Sequence, residues 1–125
     1  MLINRDQPSS ANYVTAYASD GVTVGSQVLR TSFVMDASNI HTDWPVANVA
    51  CLTIEHLDQV IAMQPEIILL GTGDRIEFPA NEIHAAVLSR GIGFEIMDTP
   101  AACRTFNILV AENRRVVAAL IVATT

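Results

Sequence analysis

The chain has 125 residues, half of them hydrophobic and 16% charged, with a formal net charge of −6. That length fits one domain able to bury a respectable core, and so apolar a chain is excluded from the intrinsically disordered class. Seven basic residues without a run, against thirteen acidic ones, exclude a polyanion groove and with it a nucleic-acid partner.

Residues 1–12, MLINRDQPSSAN, are polar and read as a loosely docked arm, and residues 13–125 read as a single domain. The arm lacks an apolar secretion core and lacks the Arg-rich, acid-poor character of a mitochondrial address. From Tyr13 the pattern changes. YVTAY, VTV and QVLRTSFVM are rich in β-branched and aromatic residues, with the turn signals Ser19-Asp20-Gly21 and Gly25-Ser26 between them. An antiparallel hairpin or meander across 13–35 is expected. DASNIHTDWPVAN at 36–48 reads as a loop from which Trp44 and Val46 dip into the core.

A helix is predicted from about Thr53, which suits an N-cap, with Glu55 near the positive end of the dipole. Ile54, Leu57, Val60 and Ile61 share one face, and Pro65 ends the element. EIILL at 66–70 is a short, wholly apolar run, as in a strand covered on both sides, and it leads into Gly71-Thr72-Gly73-Asp74. Pro79 suits the first turn of a second helix with the inner stripe Ile83, Ala86 and Val87, closed by Gly91. IGFEIM at 92–97 is a second strand. MDTPAACRTFNIL then opens a third helix running to about Glu112, with Asn113 as its left-handed cap. RVVAALIV at 115–122 is the last strand.

Strand, helix, strand, helix, strand from residue 66 onward gives two crossovers long enough for parallel pairing, both expected to be right-handed. The fold class is α/β: a single layered domain with a mixed sheet, an N-terminal antiparallel hairpin or meander followed by β-α-β-α-β with parallel strands. No stretch approaches the roughly 20 apolar residues needed to span a bilayer. Cys51 and Cys103 make no disulfide framework, and a cytoplasmic, reduced protein is the simplest expectation.

In open α/β sheets ligands favour the crevice beyond the carboxyl ends of the strands. Gly71, Thr72, Gly73 and Asp74 form one such end, and Asp98 and Thr99 stand at another. If the two strands are neighbours, these residues face one another. The plainer reading is that the glycines only let the chain turn, since the third glycine of the dinucleotide pattern is missing. Asp98 or Thr99 as N-cap would leave Pro100 in the first turn, and a capping carboxylate discourages anions at the same terminus.

Cys103 is one turn into that helix, beside Arg104, where a thiol pKa can fall. Yet Ala102, Cys103, Phe106, Leu109 and Val110 make one apolar face, and Arg104 points about 100° away. A buried thiol is therefore favoured over a reactive one. His41, His56 and His84 are scattered without metal-ligand spacing, so no metal is expected.

PEIILLGTGDR at 65–75, RGIGFEIMDTPAACRTFNIL at 90–109 and AENRRVVAALIV at 111–122 carry a family likeness. Together they resemble the adipogenesis-associated Mth-type domain proteins, a family of largely unknown biochemical function related to the mitochondrial respiratory complex I assembly factor three. Members often have glycine where this chain has Asn113, which tolerates the same turn. The resemblance implies a compact three-layer α/β domain with a mixed sheet, and brings no settled activity, cofactor or catalytic residue. Its eukaryotic members are linked to assembly of a membrane-bound respiratory complex, whereas this chain looks bacterial in form.

The expected function is a non-catalytic binding or assembly-factor-like module. Its partner would be a protein or a second copy, with peripheral association with a membrane complex. The alternative is a small-molecule binder or enzyme using the crevice of Gly71, Thr72, Gly73, Asp74, Asp98, Thr99, Cys103 and Arg104. The sequence leaves catalysis open, leans against it, and implies no cofactor.

Overall fold

The computed structural model describes residues 11–122. The polar arm expected over 1–12 thus lies almost wholly outside the described residues. Three short strands, β1 (Val14–Ala18), β2 (Gly21–Val24) and β3 (Gln27–Leu29), form an antiparallel meander. Gly25 makes the second turn with φ 62°, a conformation that suits glycine. The chain then leaves this sheet. β4 (Phe33–Met35) and β5 (Ile40–His41) belong to a second, five-stranded sheet completed by β6 (Ile67–Gly71), β7 (Gly93–Met97) and β8 (Val116–Leu120), in the order β5-β4-β8-β6-β7.

β6 lies at the centre of the parallel part, with Ile67–Gly71 in register against Gly93–Met97 on one side and Val116–Leu120 on the other. β8 also pairs antiparallel with β4, which makes the sheet mixed. The single meander expected over 13–35 is thus divided between two sheets. Buried Ser32 marks the division: its Oγ donates to Val46 O at 2.7 Å and accepts from Val122 N at 3.0 Å.

Both faces of the five-stranded sheet are covered, which explains the wholly apolar run of β6. On one face Ile68 and Leu70 pack with Trp44, Val46 and residues of α1 (Ile54–Ile61) and α2 (Asn81–Leu88). On the other, Leu69 packs with Cys103 and Phe106 of α3 (Thr99–Ala111) and with Val22, Val24 and Leu29 of the meander. The layers are helices, mixed sheet, then α3 with the meander.

Helix ends follow local chemistry, with shifts. Thr53 is the N-cap of α1, and its backbone N–H donates to His56 Nδ1 at 3.0 Å. Leu57 and Val60 are buried as expected, but Ile54, the first helical residue, stays 42% exposed. Pro79 precedes the first turn of α2 instead of entering it, because Ala80 is the N-cap. Gly91 and Asn113 take the left-handed conformation at φ 74° and 61°.

Asn107 on α3 imitates a strand neighbour for β1. Its Oδ1 accepts from Val14 N and its Nδ2 donates to Val14 O, each at 2.9 Å. Asn107→Ala should cost about 1–2 kcal/mol, two partly buried hydrogen bonds at the usual net value. Urea unfolding checks the magnitude, and faster exchange of the Val14 amide with little change in β6 checks its locality.

Candidate functional site

The last pairs of β6, Gly71 with Met97 and Gly71 with Leu120, bring three chain ends to one edge of the sheet. Backbone bonds carry the ladders past these pairs: Thr72 N donates to Met97 O, Ile121 N to Gly71 O and Thr99 N to Gly73 O, each at 2.9 Å. The condition left open by the sequence is met: β6 and β7 are neighbours, and the two turn segments meet.

Thr99 is the keystone of this edge. Its buried Oγ1 accepts from Gly73 N at 2.8 Å and donates to Ile121 O at 2.8 Å, tying the turn after β6 to the chain after β8. Thr72 Oγ1 donates to Arg75 O at 2.6 Å and accepts from Glu77 N at 3.2 Å, which closes the turn on itself. Gly73 adopts φ 101°, where a side chain is strained. Asp98 is the N-cap of α3: its Oδ1 accepts from Ala101 N at 2.8 Å, with Pro100 in the first turn. The hydroxyls of Thr72 and Thr99 and one oxygen of Asp98 are therefore engaged inside the fold.

Above this edge lies a cleft of about 220 Å³ lined by Tyr17 and Val22 of the meander, Asp74, Pro100, and Ile121 and Val122 beyond β8. Gly73 and Thr99 complete it. Of the residues expected from the sequence, Gly73, Asp74 and Thr99 line this cleft. Gly71 and Thr72 are buried at the strand end, and Asp98 is half-buried at the start of α3. The meander wall and the residues after β8 were not legible as site residues, because their placement depends on strand order.

Cys103 and Arg104 separate, as their helical spacing requires. Cys103 is 1% exposed in the core, and Arg104 is exposed with Nη1 donating to Tyr17 Oη at 3.0 Å. Burial pushes the Cys103 thiol up to about 12, and nearby Arg104 offsets only part of this. Cys103 should therefore react slowly with a thiol reagent in the folded chain, with no plateau from an activated thiolate between pH 6 and about 9. A raised folded pKa means that the unfolded chain ionises first. The thiol's contribution to stability is full below 9.0, its ordinary value, and is lost as pH rises towards about 12. Labelling rates across pH, in buffer and in urea, check both statements. Cys51 is exposed and free. Among the described residues no group of three or more His, Cys, Asp or Glu side chains is placed to hold a metal ion.

Fold and edge together define a three-layer α/β fold whose strand-end crevice is walled by an antiparallel meander. The chain belongs to the family described as protein of unknown function (DUF498/DUF598), whose profile matches residues 14–121. It is similar to the Bos taurus NADH dehydrogenase [ubiquinone] 1 alpha subcomplex assembly factor 3, with 37% identity over 123 residues, 96% of this chain and 65% of that protein. The chain thus spans just under two thirds of that relative's length. A Xanthomonas campestris protein solved by NMR is 40% identical, with a TM-score of 0.83 over 98% of this chain and 92% of that one. A Bordetella pertussis protein described as a Mth938-like domain is 31% identical, with a TM-score of 0.81 and the same coverage.

Proposed function

We propose that this chain is a non-catalytic, protein-binding module of the assembly-factor type, and that the strand-end cleft receives a segment of its partner. The observation that carries this reading is the closed bonding of Thr99 Oγ1 between Gly73 N and Ile121 O. The hydroxyl best placed for chemistry is a structural tie, and the thiol nearby is buried and held protonated. The cleft is also below the roughly 300–1,000 Å³ of ordinary small-molecule sites, and suits one or two inserted side chains.

The partner we propose is a subunit or assembly intermediate of a respiratory NADH dehydrogenase, met in the cytoplasm at the membrane surface. Support comes from the assembly-factor relatives. No helix among the described residues is long and apolar enough to cross a membrane. Affinity capture of the tagged chain from native lysate under mild conditions should recover dehydrogenase subunits. Ser19 also lines the cleft from an exposed turn, and Ser19→Trp, which fills it, should weaken capture by roughly tenfold without changing the melting temperature. Equal capture by this variant would sink the cleft as the docking site. A metabolite that raises the melting temperature of the native chain but not of this variant would support the small-molecule alternative instead.

A further inference from the structure

A sheet edge that no described residue occupies lies away from the cleft. β7 ends the five-stranded sheet. Gly93 N donates to Glu66 O and Met97 O accepts from Thr72 N, so Gly93, Glu95 and Met97 turn their backbone groups towards β6. Alternation then turns the N–H and C=O of Phe94 and Ile96 outward, where neither has a hydrogen-bond partner among the described residues.

The other edges are interrupted or short: β1 shifts register between Val14 and Ala16. Asn107 occupies Val14 on the outer side of β1, β5 has two residues and β3 has three. β7 has five residues, no proline, and an unbroken register with β6. Edges of that kind are templates for a further strand unless something blocks them. The one protective feature is the exposed carboxylate of Glu95 at the strand's midpoint.

That carboxylate also selects the occupant. A second copy pairing antiparallel, with Phe94 opposite Ile96 and Ile96 opposite Phe94, would set Glu95 directly against Glu95. Like charges so placed repel. A strand with Lys or Arg opposite Glu95 is attracted instead, and the chain's charge of −6 adds to the preference. Phe94 and Ile96 project to the other face, where they pack with Ile83 and Val87 of α2. We infer that β7 is a docking edge for an extended segment of a partner polypeptide that alternates apolar residues with basic ones, the basic residues falling opposite Glu95. This second contact does not require the cleft to bind anything.

The probe is an acetylated, amidated heptapeptide alternating valine and lysine, titrated into the ¹⁵N-labelled full chain. Shifts should centre on β7, with amide exchange of Phe94 and Ile96 slowed about tenfold at saturation. The valine–glutamate counterpart should bind about fivefold more weakly, the scale of a cross-strand charge pair, and Glu95→Lys should reverse the order. N-methylation of the peptide amides that face the protein should abolish binding, while Ser19→Trp should leave it intact. The inference is overturned if the Phe94 and Ile96 amides are already protected in the free chain. Binding that leaves those amides unmoved, absence of binding at millimolar peptide, or a concentration-dependent dimer formed through the same amides would overturn it equally.

Discussion

Thr99→Val should lower stability by about 3 kcal/mol, although it changes the side chain's shape very little. The hydroxyl it removes serves Gly73 N and Ile121 O, each at 2.8 Å, and both bonds are buried. Without it, one donor and one acceptor remain away from water, at about 1–3 kcal/mol each. The valine methyl recovers little, because the site was already dry. Thr99→Ser keeps the hydroxyl and should cost under about 1 kcal/mol, mainly the lost methyl. Urea unfolding separates the two: Thr99→Val should move the midpoint with an unchanged slope, and its melting temperature should fall by about 10 °C. A shift equal to that of Thr99→Ser would mean that the turn after β6 is held by something else.

The same residue shows where sequence reasoning reaches and where it stops. Asp98-Thr99-Pro100 announces a helix start, and the structure puts the cap on Asp98 as its chemistry requires. The second bond of Thr99, to Ile121, could not be read, because it exists only when β8 lies beside β6. Periodicity reports which face a residue turns inward and is silent about which strands are neighbours. The buried run of β6 was legible for that reason, and so was the inward turn of Cys103. The tie of Ser32 to Val122, ninety residues away, was not. β5 has two residues, too few for any period to show. Ile54 illustrates a subtler limit: a helical stripe fixes a direction around an axis, not the point along it where the sheet ends. The cleft wall of Tyr17 and Val22 is out of reach for the same reason, since only tertiary packing carries the meander to the end of β6.

Gly71 tests whether that edge is as tightly closed as its hydrogen bonds imply. Its backbone lies outside the left-handed region, so alanine loses nothing by conformation. On chain entropy alone, Gly71→Ala should stabilise by about 0.4–1 kcal/mol. Space decides otherwise. A Cβ there would stand 2.8 Å from Leu120 Cδ2, 2.9 Å from Thr99 Oγ1 and 3.1 Å from Thr99 Cα. The leucine is fully buried, and Thr99 is fixed by its two bonds, so neither can withdraw without loosening the join between β6, β8 and α3. Overpacking of this kind costs about 1–3 kcal/mol, and the rigid partner puts the net expectation near the upper half of that range.

Gly73→Ala provides the opposite case, with no atom within 4 Å of its Cβ and a backbone at φ 101°, so its cost is conformational alone. The two mechanisms separate in a double-mutant cycle. Leu120→Val removes the δ carbon met first, and should recover part of the loss in Gly71→Ala while recovering none in Gly73→Ala. A coupling of about 1 kcal/mol for the first pair and near zero for the second is expected. Additivity in both would show that the sheet edge relaxes around the new methyl, and that the strand-end crevice is softer than its bonding suggests.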